Sequence, residues 1–399
     1  MPTRRALLSQ LTLHAASAAG AAEAIDHTLV CVFLRGGADT LNFYPPLDDA
    51  AYQSARPTLA LPASSLLPLD EHFGLNPALA PLESLFKTGR MGVVQAVGTD
   101  NTSGSHFECQ DQMEHGDSMN GLAAGGGWLG RFLRERADAS TSPLSAVAIG
   151  TALPESLRGA PAVSVLEKLD DIAIQPASGD AAAIATTLRA LYGADVTLLG
   201  ARGQQTLDLF QRVSALQQAA AAPALGAEYP RHAFGDGLRE IARLIRARVG
   251  LEVACIDLGG WDTHFFQGTT DGSHATLART LAQGLAAFDT DLQDERPRWT
   301  LLVMTEFGRR VYENASLGTD HGRGFALTAI GDRVRGGRIT GPWPLQAMDE
   351  SNPLGPGGIE IACDYRRVFA EVLGRSMGMD AAGLARIFPG ADLAPVGLF

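Results

Sequence analysis

The stretch GGWDTHFFQG, residues 259–268, closes an apolar run on two glycines and then presents Asp262 and His264 two positions apart. A second stretch, GTDHGRG, sets Asp320 beside His321 between glycines. Adjacent Asp and His suit neither one face of a helix nor one face of a strand. On a loop wrapped around an ion they can approach from different directions. Carboxylate oxygen and imidazole nitrogen together form a donor set for zinc or a harder divalent cation. Asp39 in RGGADTL and Glu306 in TEFGRR add two more carboxylates. The candidate ligands are therefore Asp39, Asp262, His264, Glu306, Asp320 and His321, for one metal and at most two. Zinc comes first, with calcium, magnesium and manganese as alternatives. Each motif also has a plainer reading: a turn or capping Asp39, a Glu306–Arg309 salt bridge, a solvated loop at 320–321.

Catalytic groups of other kinds fall in similar places. Ser105 and His106, in SGSHFECQDQMEHG, open a predicted helix, where unpaired N–H groups and the helix dipole favour an anion. Ser105 is then a nucleophile or an ordinary N-cap, and His106 a catalytic or an orienting group. Arg35 and Arg309 offer guanidinium forks suited to an oxyanion.

The elements that must position these residues follow from periodicity. Five apolar runs, HTLVCVFL, MGVVQAV, SAVAIG, LEVACIDL and TLLVMT, each end in glycine and polar residues. Helical patterns lie between them, which predicts an α/β fold with a mostly parallel central sheet and helices on both faces. Ligands of open α/β sheets bind outside the carboxyl ends of the strands, so the five tails are expected to converge on one crevice. Three helical segments within about 180–248 read as a face-covering layer or a cap. DYRRVFAEVLGRSMG and MGMDAAGLARIFPG read as packing helices.

Composition narrows the function. With 399 residues, 46% of them hydrophobic, the chain can bury a large core. A formal net charge of −12 excludes a phosphate-tracking nucleic-acid binder and favours a small-molecule site, leaving room for a protein partner. Four cysteines lie far apart with no C-x-x-C, so neither a zinc knuckle nor a disulfide framework is legible. At the N-terminus, TRRALLSQL followed by AAEA reads as a twin-arginine export signal over residues 1–24, carrying Arg4 and Arg5. That signal implies the twin-arginine machinery as a partner and a periplasmic or secreted destination. No later segment is apolar enough to span a bilayer.

FLRGGADTLNFYPPLDDAAYQSARPTLAL, FGLNPALAPLESLF, SHFECQDQMEHG, GGWDTH, TEFGRRVYENASLGTDHGRG and DYRRVF together resemble a widespread exported bacterial family built on a domain of unknown function. That family is distantly similar to the alkaline phosphatase and sulfatase superfamily. The resemblance covers nearly the whole chain after the signal and implies one alkaline-phosphatase-like domain over 25–399. It further implies that Asp39 binds metal, that Ser105, or else Thr102, is the nucleophile, and that Asp262, His264 and His321 share a metal site. The superfamily also expects an Asp-His pair after the last core strand. Here Glu306 is followed by Phe307, so one imidazole is missing unless Asp320 or His106 replaces it. The resulting expectation is metal-assisted hydrolysis of a small anionic phosphate or sulfate ester, with Ser105 attacking and Arg35 or Arg309 holding an oxygen. The rival is a non-catalytic exported binding or assembly protein on a degenerate scaffold.

Overall fold

The chain is described by a computed structural model over residues 26–118, 121, 125–137, 142–171, 180–218, 222–343 and 358–399. The export signal expected at 1–24 lies outside those residues. Strands run over β1 (Thr28–Arg35), β2 (Leu67–Pro68), β3 (Gly74–Leu75), β4 (Met91–Gly98), β5 (Ala146–Ile149) and β6 (Ser164–Leu166). They continue with β7 (Val253–Gly259), β8 (Trp299–Thr305), β9 (Phe325–Gly331), β10 (Arg338–Thr340) and β11 (Cys363–Asp364). All five predicted runs form strands.

Among the described residues, nine strands make one sheet in the order β10-β4-β9-β8-β1-β7-β5-β6, with β11 also paired to β4. β1 sits centrally, parallel to β7 and β8. Only β9 opposes the other strands of this sheet, being antiparallel to both β8 and β4. That reversal matters for the site. β9 begins where its neighbours end, so the loop before it reaches the carboxyl edge of the sheet and carries Asp320 and His321 there.

β1 is buried from Thr28 to Leu34, as a central strand covered on both faces must be. Val30, Val32 and Leu34 belong to one core with Leu238 and Ile241 of helix Ala233–Arg246 and Leu281 and Leu285 of helix Gly272–Asp291. Leu29, Cys31 and Phe33 belong to the other, with Trp128 and Phe132 of helix Trp128–Arg136 and Phe369 of helix Tyr365–Arg375. The block expected over 180–248 divides. Helix Ala233–Arg246 covers the sheet, whereas helix Ala181–Ala194 buries no residue and stacks Tyr192 on Gly203 of helix Leu198–Gln218. Among the described residues, no helix is long and apolar enough to cross a membrane.

Candidate metal centre

Four tails at the carboxyl edge of the sheet build one site. The β1 tail contributes a backbone cradle. Gly36 adopts φ +116°, and a Cβ there would lie 2.7 Å from the backbone nitrogen of Asp262. Only glycine lets the β1 and β7 tails approach so closely. The β4 tail leads into helix His106–His115, which starts on the ring of His106. The β7 tail carries Asp262 and His264, and the β8 tail carries Glu306 and Arg309.

Three histidine Nε2 atoms converge on one carboxylate oxygen. From Asp262 Oδ1, His264 Nε2 lies at 3.0 Å, His321 Nε2 at 3.2 Å and His106 Nε2 at 3.4 Å. The opposite nitrogen of each ring faces an acceptor at 2.8 Å. His106 Nδ1 meets Glu306 Oε1, His264 Nδ1 meets Asp320 Oδ1, and His321 Nδ1 meets the Gly104 carbonyl. A proton on each Nδ1 satisfies these acceptors and leaves every neutral Nε2 as a lone pair aimed at the common centre. His106 Nε2 is buried without a hydrogen-bond partner. Lone pairs and a carboxylate held together in this way call for a cation. A tetrahedral zinc with bonds of about 2.0–2.1 Å requires its ligand atoms to stand about 3.3 Å apart; His106, Asp262 and His321 each place one ligand atom within 4.8 Å of the other two, and His264 reaches Asp262 and His321 from the far side. The second partner behind each imidazole is the arrangement that fixes ring orientation in metal sites.

Of the six expected ligands, Asp262, His264 and His321 come together. Glu306 and Asp320 stand behind the histidines instead of in the ligand group. Glu306 is fully buried, and its Oε1 accepts also from Gln110 Nε2 and the Gly36 amide, at 2.8 Å each. Asp39 is elsewhere. It is fully buried in an ion pair with Arg56, with Nη1 to Oδ2 at 2.6 Å. Gln267 links it to the site loops: Nε2 donates to Asp39 at 2.6 Å, while Oε1 accepts from Thr263 and Thr319. Contrary to the ligand role expected for Asp39, its oxygens are taken up by a guanidinium and an amide, and among the described residues it joins no group placed to hold a metal. His106 brings a third imidazole to Asp262, beside those of His264 and His321.

Neither arginine presents a fork to an oxyanion. Arg309, buried, donates to the Gly37, Thr319, Gly36 and Trp261 carbonyls and to Asp262 Oδ1 at 2.8 Å, thereby clamping three loops. Arg35 donates to both oxygens of Glu114 at 3.0 and 3.1 Å and to Asp257 at 2.9 Å. Arg35 lines a separate cleft of about 810 Å³ with the β5 tail, including Thr151 and Leu153. The β5 tail thus departs from the expected convergence. Ser105 caps its helix, its hydroxyl accepting from the Glu108 amide at a long 3.5 Å.

Charge follows the same pattern. Burial resists ionisation of Asp262, but the Arg309 guanidinium that donates to it outweighs that and holds the carboxyl at about 2. Burial likewise opposes ionisation of Glu306 and Asp320, and the donors facing them win in both cases. The hydrogen bond to Glu306 raises His106, whereas burial lowers His321. The residues unmarked in the sequence are those that support the site and its neighbouring buried pair: Gln110, Gln267 and Asn314 beside the centre, and Arg56 on Asp39. Asn314 Nδ2 donates to the His264 carbonyl and to Asp320 Oδ1, both at 3.0 Å. Gln110 had a signal, since it lies four residues after His106 on one helix face.

The family described as "Protein of unknown function (DUF1501)" matches residues 26–388. No curated protein matches the chain. Among solved structures it is similar to the C-terminal periplasmic domain of EcEptC from Escherichia coli, in complex with Zn. That likeness has a TM-score of 0.34 and 10% identity, covering 76% of this chain and 73% of the other.

Proposed function

The chain belongs to the DUF1501 family, and from the geometry at its sheet edge we propose that it is a metal-dependent hydrolase of phosphate or sulfate esters in the bacterial cell envelope. The observation that carries this reading is the convergence of His106, His264 and His321 Nε2 on Asp262 Oδ1. Asp262 and His321 would hold one divalent ion with an imidazole from His106 or His264, zinc by its donor set. When bound, that ion supplies positive charge for an anionic ester and favours a deprotonated nucleophile.

The chain's own residues supply the rest. Glu306, Asp320 and the Gly104 carbonyl keep the three rings in one tautomer. Arg309 holds Asp262 ionised and the loops in register. Ser105 is the nucleophile in this reading. It lies between Gly104, whose carbonyl binds His321, and His106, whose ring enters the centre, and its 3.5 Å cap contact is weak enough to release the hydroxyl. The whole sits on one alkaline-phosphatase-like domain over 25–399, exported behind a twin-arginine signal.

One observation favours a second reading, a binding or assembly protein on a degenerate scaffold. Asp39, which the superfamily resemblance makes a metal ligand, is sealed in an ion pair with Arg56. Elemental analysis of purified protein and a screen of aryl phosphates and sulfates separate the two. Metal with turnover supports the hydrolase; metal without turnover on any ester supports the scaffold. Absence of stoichiometric metal after reconstitution with zinc overturns the hydrolase reading.

A further inference from the structure

Among the described residues three phenylalanines are exposed, Phe107, Phe265 and Phe266, at 86, 69 and 74%. All three adjoin histidines of the centre. Phe107 follows His106, and Phe265 and Phe266 follow His264. The His264 and Phe265 ring centroids are 6.4 Å apart. Leu317, also exposed, is tied into the same rim: the Phe266 amide donates to the Ser316 carbonyl and the Gln267 amide to the Leu317 carbonyl, both at 2.9 Å. Isolated apolar residues on a surface need no explanation, but exposed phenylalanines that each neighbour a histidine of the polar centre along the chain do.

The backbone gives a second, independent observation. Phe266 has φ +44° and Leu317 φ +59°, in the left-handed region that bulky side chains avoid and glycine tolerates. The surroundings enforce that conformation. Asn314 bridges the two loops, and a Cβ at Gly318 would strike the His264 backbone at 2.3 Å. Strained, exposed and apolar side chains contribute little to the core, and such strain concentrates at ligand-binding positions.

We infer that Phe107, Phe265, Phe266 and Leu317 form an apolar collar that grips the apolar moiety of the ester, so that the substrates of this centre are anionic esters of large apolar alcohols. This rests on the ester-hydrolase reading above. The acidic head would enter the ring of imidazoles, and the apolar body would lie across the phenylalanines, burying surface that a small polar ester leaves wet. Both a soluble long-chain or aryl ester and an ester lipid in a bilayer have this chemistry.

The test uses the zinc-loaded full chain and two non-hydrolysable probes, ethylphosphonate and decylphosphonate, measured by calorimetry below micelle formation. Decylphosphonate should bind at least about tenfold more tightly. The triple variant Phe107→Ala, Phe265→Ala, Phe266→Ala should lose that preference with its zinc content unchanged. Phe107→Ser alone should reduce the preference, and serves if the triple variant fails to fold. Co-sedimentation with phosphatidylcholine vesicles containing phosphatidic acid assigns the ligand to a bilayer; tight binding of free decylphosphonate without co-sedimentation assigns it to a soluble ester. Equal affinity for the two phosphonates overturns the collar and leaves the hydrolase reading standing. Binding of neither overturns both.

Discussion

His264 and His321 face each other with their Nε2 atoms 2.9 Å apart, and each ring turns its Nδ1 to an acceptor at 2.8 Å. At that separation the two nitrogens either share a proton or flank a metal ion, and with both protons on Nδ1 only the ion remains. Zinc should therefore raise the melting temperature of the metal-free protein, by the equivalent of about 4 kcal/mol when its free concentration is a thousandfold above Kd. His264→Ala with His321→Ala should abolish both zinc binding and the thermal response. Elemental analysis and scanning calorimetry read the two effects, and unchanged metal content in the double variant would reject this ligand set.

Asp39 and Arg56 form a fully buried pair. Burial raises the Asp39 carboxyl and the adjacent guanidinium more than reverses this, so the carboxylate is charged well below its ordinary range. Removing one partner leaves the other charge buried. Asp39→Ala should cost about 3–5 kcal/mol in urea unfolding, while the folded fraction still binds zinc stoichiometrically. Loss of zinc at little cost in stability would return Asp39 to the ligand group.

The legible parts of this protein were those governed by periodicity and by residue type. The five apolar runs formed strands because each is a short, bounded run that a covered parallel sheet requires. The meeting of Asp262, His264 and His321 was legible because Asp and His set between glycines at strand tails are expected to converge. Their supporting groups were not. Glu306 and Asp320 are chemically equivalent to ligands, and only the side from which they meet His106 and His264 makes them orienting groups. Arg56 and Gln267 act across 17 and 228 residues from Asp39, a separation that no local pattern encodes. β9 was passed over because a strand that starts at the site, instead of ending there, reverses the expected order of strand and tail.

His274 gives a pH prediction with a definite sign. It is fully buried between the rings of Phe43 and Trp261, each 5.3 Å away, beside the Asp39–Arg56 pair. Burial lowers it from 6.5 to about 4. Above pH 6.5 it is neutral in both folded and unfolded chains and costs nothing. As the pH falls toward 4 only the unfolded chain takes up the proton, so stability is lost across that window, by up to about 3 kcal/mol. Urea unfolding at steps between pH 7 and pH 4 should show a shallower loss for His274→Phe than for the wild type. A residual slope should remain, because burial also lowers His27 to about 4.

Export is tested at the twin arginines. Arg4→Lys with Arg5→Lys keeps the charge and removes the guanidinium pair that serves as the address. Precursor should accumulate in the cytoplasm, read by cell fractionation and immunoblot. Normal delivery to the periplasm would give the N-terminus another role.

Ser105 separates enzyme from scaffold. Its hydroxyl caps helix His106–His115 through a 3.5 Å contact, and it stands between two residues bonded into the centre. Ser105→Ala removes the hydroxyl without touching His106, His264, His321 or Asp262, so zinc binding should persist. If Ser105 is the nucleophile, kcat on any hydrolysed aryl ester should fall by several orders of magnitude, and phosphate or sulfate should be detectable on the wild-type serine by mass spectrometry. If it is only a cap, the variant loses about 1 kcal/mol of stability and keeps its activity. The two outcomes do not overlap. Full turnover in Ser105→Ala would leave water as the attacking group and the serine as the start of a helix.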